Sequence, residues 1–534
     1  MTRLDLQSRA QSQPRVGYAL LIGLIVLVAA GKPILFDTLD PDCFWHLRVA
    51  EQLRADGIGR LIDRLSFASM PRPWTPYSWL AELSMEWIWK ACGWRAALIV
   101  QSLLQAAFIV FIAMACRAKA IPNRDAAADG FTTDPFVPGA LESALATATA
   151  GVLSLAYMSF RPATAALTLL GFCGWLIVRD RRSGEQTKAV WILAPATALM
   201  ANIHLYAILI PIWVCALWLG AIVERHGARP EHRAQANRRA TRYGLLLAAS
   251  TAASLATPML PGVFASVLRY QFGDPMVASG YISEMRPFYD GVAGKISAAL
   301  VVLFGAFVAL GRHRLRVGEW LWLGVATMLL LRLGRFAPTF AIVAAPIFAA
   351  ALPPLSGRIL RKPAVCFLIA SVLTIGVSRL WMQFPSRGAR LATWLNRQGP
   401  DAPGYPCAAA DYVAANVKPI SGRLINEFTW GGYLEWRLGD QYQVLLDGRT
   451  QLFSPAFWQA TYLGADDRRA WYFSRLQVDA AVLPIDRSLF QRTLVQQGWR
   501  TVYRDDRAQV LLPPPGVAEG SHARSPFAGL ILDE

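Results

Sequence analysis

The chain has 534 residues, of which 54% are hydrophobic and 17% are charged, and its mean hydropathy is +0.33. A soluble globular protein usually carries about 25% charged residues, so the composition indicates a membrane protein. The net charge of +17 does not indicate a nucleic-acid-binding protein, because the basic residues lie mostly in short loops between apolar runs. We interpret these residues as signals of membrane topology.

Apolar segments long enough to cross a hydrocarbon core of ~30 Å lie at 17–36 and 96–116 and recur up to about residue 382. Short basic loops stay in the cytoplasm, so neighbouring basic loops must be joined by an even number of crossings. The basic loops that set this parity are Arg3–Arg15, Arg117–Arg124, Arg179–Lys188, Arg225–Arg242, Arg312–Arg316 and Arg358–Lys362.

This parity predicts three helical hairpins. As a single helix, segment 189–223 would be roughly 50 Å long, too long for one crossing, yet basic residues flank it on both sides. Each hairpin should turn on the non-cytoplasmic side, which places the three tips on one membrane face. The hairpins are 139–178 with a turn at Arg161-Pro162, 189–223 with a tip at Asn202-Ile203-His204, and 319–353 with a turn at Arg332-Leu-Gly-Arg335.

The resulting fold class is an α-helical polytopic membrane protein with about eleven transmembrane helices. Residues 1–16 are predicted to be cytoplasmic, 17–382 to form the transmembrane domain, and the chain after about Trp381 to lie outside. A cleaved signal peptide is the alternative for the first segment, since Val28-Ala29-Ala30 offers small residues for cleavage. The apolar run is long for a signal core, which favours a retained helix.

The outer loop 37–93 carries three carboxylates and a histidine close together: Asp37, Asp40, Asp42 and His46. Its pattern predicts two amphipathic helices at the membrane surface. One covers about 44–54 and ends at Gly57, and the other covers about 77–89 and stops at Gly93. Two such helices could hold Asp40 and Asp42 rigidly beside the headgroups.

Residues 383–512 alternate helical stretches with strand-like runs, which predicts a small extracytoplasmic α/β domain. The proline-rich run at 513 begins a predicted disordered tail, 513–534. Helices are predicted at 390–397, 408–417 and 455–463, and strands at 423–426, 444–446, 480–483, 501–503 and 509–512. The sequence has no phosphate-binding loop or dinucleotide fingerprint, which fits a lipid-linked substrate better than a nucleotide sugar.

Several short motifs are spread along the chain: Asp40-Pro-Asp-Cys-Phe-Trp-His46, Asp63-Arg-Leu-Ser-Phe67, Pro73-Trp74, Trp79-Leu-Ala-Glu82, Ala201-Asn-Ile-His204, Trp430-Gly-Gly-Tyr433 and Asp447-Gly-Arg449. Together they resemble the GT-C superfamily of membrane glycosyltransferases, in particular a bacterial branch similar to protein O-mannosyltransferases and the lipid A aminoarabinose transferase. The resemblance spans most of the chain.

The resemblance implies an inverting glycosyltransferase of the bacterial inner membrane that moves a sugar from a polyprenyl-phosphate donor to a glycan, lipid or protein acceptor. It implies that Asp42 is the general base, a role worth about 10²–10⁴-fold in rate. Asp40 would be its partner, either in acceptor binding or in holding a divalent cation such as Mg²⁺ or Mn²⁺. As an alternative, both aspartates could simply cap the helix that follows.

Arginines on the outer face are candidates to bind the donor phosphate. Arg332 and Arg335 are favoured, because two arginines at a hairpin tip among apolar helices are costly without a counter-anion. The alternative is that both extend to lipid headgroups. Further substrate-binding candidates are Arg161, Arg286, His46, His204 and Glu82, although histidines in such positions more often pack than bind.

The glycines of Gly431-Gly432 and the motif Asp447-Gly-Arg449 allow two interpretations. They could contact the acceptor or the donor sugar. They could also be structural, with the glycines in tight turns and Asp447 and Arg449 holding a strand end in place, and we favour this interpretation.

Two other functions fit the same architecture. A transporter or flippase of lipid-linked sugars would need charges near the bilayer midplane and often repeated halves, whereas here the charges lie at one face. A non-catalytic protein of envelope-glycan assembly would use the outer domain to bind a partner.

Overall fold

A computed structural model describes residues 15–35, 39–118, 139–260, 262–310, 315–352, 399–486 and 488–515. The chain divides into two compact units. We call the first, Met1–Asp37, Ala97–Thr257 and Ser283–Ala389, the helical unit. The second, Thr38–Ala96, Pro258–Ile282 and Arg390–Glu534, is the sheet unit.

Helices make up the described part of the helical unit. Five are long and apolar enough to cross a membrane within the described ranges, namely Trp79–Cys116, Ala140–Tyr157, Pro162–Arg182, Leu205–His226 and Gly334–Ala351. Shorter apolar stretches follow the same pattern at Tyr18–Ile34, Lys188–Ala201 and Gly294–Leu310. The multi-pass architecture is confirmed, whereas the count of about eleven crossings is not.

The α-helices that contribute to this unit have the bounds Arg15–Leu35, Trp79–Cys116, Ala140–Ser154, Pro162–Arg182, Leu193–Ala201, Leu209–His226, Arg233–Ser254, Gly291–Leu310, Val317–Arg332 and Ala337–Ala351. The helix breaks that the sequence predicts at the three hairpin tips are present, whereas the crossing of the membrane by each hairpin stays a prediction. Arg161 is extended because it precedes a proline, and Pro162 begins the next helix, where its missing N–H costs nothing. His204 is also extended, and its Nδ1 accepts the N–H of Tyr206 at 3.2 Å.

At the ends of these helices that carry the basic clusters, arginines pair with carboxylates. Arg316 lies 3.1 Å from Glu185, Arg181 lies 3.3 Å from Glu319, and Arg242 lies 2.8 Å from Asp180. Glu185 also pairs with Arg239. Several arginines that the sequence marks as topology signals therefore also join helices to one another.

The sheet unit is built around a five-stranded mixed sheet. The strands are β1 Arg423–Asn426, β2 Gln443–Val444, β3 Ala480–Pro484, β4 Arg500–Arg504 and β5 Ala508–Leu512. Their order is β2-β1-β3-β5-β4, with β1 parallel to β2 and β3, and β5 antiparallel to β3 and β4. The predicted α/β domain and its five strands are confirmed.

The described α-helices of this unit are Asp42–Asp56, the first part of Trp79–Cys116, Gly262–Phe272, Pro275–Ser279, Cys407–Asn416, Gly431–Leu438, Pro455–Thr461, Asp466–Phe473 and Leu489–Gln496. Both amphipathic helices of the outer loop are present. Gly57 ends the first with φ 94°, and Gly93 breaks the second with φ 72°, values that other residues rarely adopt.

The outer loop shares a hydrophobic core with the C-terminal sheet. Val49 and Leu53 of the loop are buried in one cluster with Leu445, Phe453 and Trp458. Backbone hydrogen bonds of 3.0 Å also join residues 65 and 67 to Val444 of β2. Packing of this kind holds the acidic start of the loop at a defined place in the sheet unit.

Some sequence-based predictions lie outside the described residues. These are the helix at 390–397, the last crossing before residue 382, the cytoplasmic residues 1–14 and most of the predicted tail, 516–534.

Candidate functional site

Asp40 and Asp42 lie at the start of the helix Asp42–Asp56 in the sheet unit. Oδ1 of Asp40 accepts the backbone N–H of Asp42 at 2.9 Å, so Asp40 stabilises the helix start. Pro41 occupies the capping position, and Asp42 is the first helical residue. Asp40 therefore has the capping role, whereas the Asp42 carboxylate lies in the first turn of the helix.

His46 lies one helical turn after Asp42 and pairs with Glu82 of the second loop helix. Its Nδ1 is 3.0 Å from Oε1 of Glu82, and both side chains are buried. The indole ring of Trp45 packs on the imidazole with ring centroids 3.5 Å apart. This arrangement brings three sequence-predicted residues, Asp42, His46 and Glu82, into one region of the unit.

A buried group of charges lies in the same unit, and we call it the Arg449 cluster: Arg449, Asp447, Asp63 and Glu435. Nη1 of Arg449 is 2.8 Å from Oδ1 of Asp63, and its Nε is 3.0 Å from Oδ1 of Asp447. Asp447 also accepts the hydroxyl of Ser66 at 2.9 Å. The Arg449 side chain is fully buried, so these contacts replace all of its hydration.

Electrostatics in this cluster favour an ionised Asp447 and a protonated Glu435. Burial alone would raise the pKa of Asp447, but the Arg449 guanidinium holds it below its usual value. Burial and the neighbouring Asp447 raise the pKa of Glu435 well above its usual range. Sequence reasoning identified Asp447 and Arg449 but missed Asp63 and Glu435 as their partners.

A second group of polar residues lies in the helical unit, where the hairpin tips meet the loop at Ser283–Met285. We call it the tip cluster: Arg161, His204, Glu284 and Arg335. Nη2 of Arg161 is 3.1 Å from one oxygen of Glu284, and Nη2 of Arg335 is 3.8 Å from the other. The hydroxyl of Tyr206 donates to the carbonyl of Arg335 at 3.4 Å.

The two arginines control the protonation of their neighbours. Burial alone would raise the pKa of Glu284, but Arg161 and Arg335 lower it to about 2. Burial, Arg335 and Arg161 lower the pKa of His204 to about 3. At neutral pH the cluster thus holds an ionised carboxylate, a neutral imidazole and two guanidinium groups.

The other two predicted arginines have exposed side chains. The Arg332 side chain is exposed at the end of the helix Val317–Arg332. Arg286 is exposed and pairs with Asp290 at 3.3 Å, while its carbonyl accepts the N–H of Gly334 at 2.9 Å. The structure therefore brings Arg161 and Arg335 together. Glu284, which was not among the predicted site residues, joins them.

A divalent cation at Asp40 and Asp42 stays a prediction. Among the residues that the structure describes, no group of three or more His, Cys, Asp or Glu side chains is arranged to hold a metal ion. His46, the third residue nearby in sequence, pairs with Glu82.

No protein-family model matches the sequence, and no curated protein matches it. Solved structures do match. The archaeal oligosaccharyltransferase AglB from Archaeoglobus fulgidus, in complex with an inhibitory peptide and a dolichol-phosphate, is 12% identical with a TM-score of 0.56, covering 88% of this chain and 69% of that one. The same enzyme tethered to an acceptor peptide gives 11% identity and a TM-score of 0.53, covering 89% and 70%.

ArnT from Cupriavidus metallidurans bound to undecaprenyl phosphate is 14% identical with a TM-score of 0.46, covering 95% of this chain and all of that one. At such identities the likeness shows the fold alone, and it rests on the two AglB structures with TM-scores above 0.5. The chain thus has the same fold as the archaeal oligosaccharyltransferase AglB.

Proposed function

We propose that the protein is a glycosyltransferase that moves a sugar from a polyprenyl-phosphate donor to an acceptor at the extracytoplasmic face of the bacterial inner membrane. Two findings support the proposal: the fold, and the pair of arginines that converges on Glu284. The arginine pair carries most weight, because two guanidinium groups converge on one point at the hairpin tips, as binding of a phosphate requires.

Arg161 and Arg335 have the properties of a phosphate-binding pair. Their side chains are 15% and 22% exposed, so a ligand can reach them, and both are held at the ends of packed helices. In the described structure they contact a carboxylate, which presents two oxygens much as a phosphate does. Bound to the donor, they would neutralise the charge that develops on the phosphate as the sugar leaves.

Asp42 is the proposed general base. The acceptor's nucleophilic atom attacks the anomeric carbon, and the bond from that carbon to the phosphate oxygen breaks. Polyprenyl phosphate leaves with the bonding electrons, and the configuration inverts. The acceptor's proton passes to the Asp42 carboxylate. Asp40 supports this geometry through its hydrogen bond to the Asp42 backbone.

His46 and Glu82 would support Asp42 without contacting the substrate, since both are buried and pair with each other. Asp40 and Asp42 are the residues that would hold a divalent cation, which would supply polarisation of donor or acceptor oxygens.

The transporter and assembly functions make different predictions from the transferase. We would profile glycans and glycolipids of cells that lack the protein, complemented with wild type, Asp42→Asn or Asp40→Asn at matched expression. A sugar that is missing from the cells and restored only by wild type supports the transferase. Restoration by both variants would reject the carboxylate mechanism and favour transport or assembly.

A further inference from the structure

Gly448 lies directly against the side chain of Asp42. A Cβ atom at position 448 would lie 2.9 Å from Nε1 of Trp45 and 3.2 Å from Cγ of Asp42, and closer still to Oδ1 of that carboxylate. Real Cβ contacts are longer, so only glycine leaves room for the carboxylate where it is. The contact joins residues that are about four hundred positions apart in sequence.

The turn that carries Gly448 is fixed on both sides. Its neighbours Asp447 and Arg449 are fully buried, and Oδ1 of Asp447 accepts the backbone N–H of Arg449 at 2.7 Å. The guanidinium of Arg449 lies over the rings of Trp45 and Trp74, at 5.9 Å and 5.3 Å. A buried ion cluster of this kind holds the backbone at 448 more firmly than a surface turn would.

A second glycine supports the same helix start. A Cβ at Gly432 would lie 3.1 Å from the carbonyl oxygen of Pro41 and 3.1 Å from Cβ of Trp45. Gly432 thus leaves room for the backbone before Asp42 and for the side chain of Trp45. Gly448 leaves room for the Asp42 carboxylate itself.

We propose that Gly448 is a positioning residue for Asp42: the turn Asp447-Gly448-Arg449 sets the place and orientation of the carboxylate that accepts the proton. The inference rests on the proposed function, because it assigns Gly448 a role in that reaction. It gives the Asp447-Gly-Arg449 motif a purpose beyond holding a strand end.

The steric surroundings of three glycines make the inference testable. Alanine at 448 would meet the end of the Asp42 side chain, which can rotate away, and Nε1 at the edge of the Trp45 ring, but no backbone atom among its three nearest neighbours. Alanine at 431 would lie 2.8 Å from Cα of Asp447 and 2.9 Å from the carbonyl carbon of Leu446, which are backbone atoms that cannot move alone. Position 59 has no atom within 4 Å of a new Cβ among the described residues.

The experiment compares Gly448→Ala, Gly431→Ala and Gly59→Ala with wild type. The probe is the polyprenyl-phosphate sugar fraction extracted from membranes of cells lacking the protein, and kcat, apparent KM and the thermal unfolding midpoint are measured. A displacement of the base by about 1 Å can lower the rate about 10²-fold. Gly448→Ala should show such a loss in kcat, an apparent KM within about threefold of wild type and a midpoint lowered less than that of Gly431→Ala.

Gly59→Ala should match wild type, and Gly431→Ala should lower the midpoint. A folded Gly448→Ala enzyme with wild-type kcat, or with its defect in KM, overturns the inference. If Gly448→Ala does not fold, Asp42→Glu decides: its longer side chain should displace the carboxylate and lower kcat about 10²-fold, and wild-type kcat would overturn the inference.

A failure of the proposed function would give a different pattern of variant activities from a failure of the Gly448 inference. If Asp42→Asn keeps wild-type activity, Asp42 is not the base and the proposed mechanism is wrong. If Asp42→Asn is inactive while Gly448→Ala is fully active, only the role of Gly448 is rejected.

Discussion

Arg449 and Asp63 are 386 residues apart in sequence, and Nη1 of one lies 2.8 Å from Oδ1 of the other in the interior of the sheet unit. The pair joins the outer loop that carries Asp42 to the segment between β2 and the helices that follow it. The loop and the C-terminal domain, which look separate along the chain, share one compact unit.

Loss of this arginine should strongly destabilise the sheet unit. Arg449→Gln leaves Asp63 and Asp447 buried without their cation, and breaking a buried pair in this way costs about 3–5 kcal/mol. We expect a lower unfolding midpoint for the purified protein in detergent. Arg437 offers the matched control, since it pairs with the exposed Asp411 at 2.9 Å. Arg437→Gln should cost about 0–1 kcal/mol, and equal losses in the two variants would reject the prediction.

The tip cluster should bind the phosphate of a polyprenyl lipid. Arg161→Gln and Arg335→Gln each remove one charged donor, a loss of about 1.5–3 kcal/mol, or about 10–100-fold in affinity. Undecaprenyl phosphate binding is measured by native mass spectrometry, with undecaprenol as the uncharged comparison. Arg229→Gln, an exposed arginine in another loop, is the matched control. Unchanged affinity in both tip variants would exclude this phosphate site.

Acid should weaken the tip cluster through His204. Its pKa is about 3 in the folded protein, against a usual value of about 6.5. Between these values the unfolded chain binds a proton that the folded one does not, so stability falls as the pH falls through this window. Glu284 has a pKa of about 2 in the folded protein. Its contribution to stability is therefore lost at lower pH than that of His204.

The check compares unfolding midpoints at pH 7.5 and pH 5 for wild type and His204→Gln. Wild type should lose more stability on acidification than the variant, because the variant has no imidazole to protonate. The same loss in both would show that His204 does not carry the effect.

Helix ends and strands could be predicted well from the sequence, because the residues that determine them are close together along the chain. Gly57 and Gly93 end helices where they occur in the chain, and Arg161-Pro162 marks a helix start through proline geometry. The five short strands follow from runs of apolar residues between turns. Parity of the basic loops then predicted the hairpins, since it depends only on the order of charges along the chain.

The site could be predicted only in part, because its contacts join distant segments. The sequence placed Arg161, Arg335 and His204 at hairpin tips, but no pattern indicated that Glu284 would pair with both arginines. The motifs that contain Asp447, Arg449 and Asp63 were visible, but no pattern indicated that Asp63 would pair with Arg449.

The central claim is that the protein breaks the bond between a sugar and polyprenyl phosphate. The direct test incubates the purified protein, in detergent and without a membrane to cross, with polyprenyl-phosphate sugars and membrane acceptors from cells that lack it. Mass spectrometry then follows the release of polyprenyl phosphate. Wild type should release it with transfer of the sugar, and Asp42→Asn should do so about 10²–10⁴-fold more slowly. An intact donor after incubation with folded wild-type protein would contradict the transferase and favour a transporter.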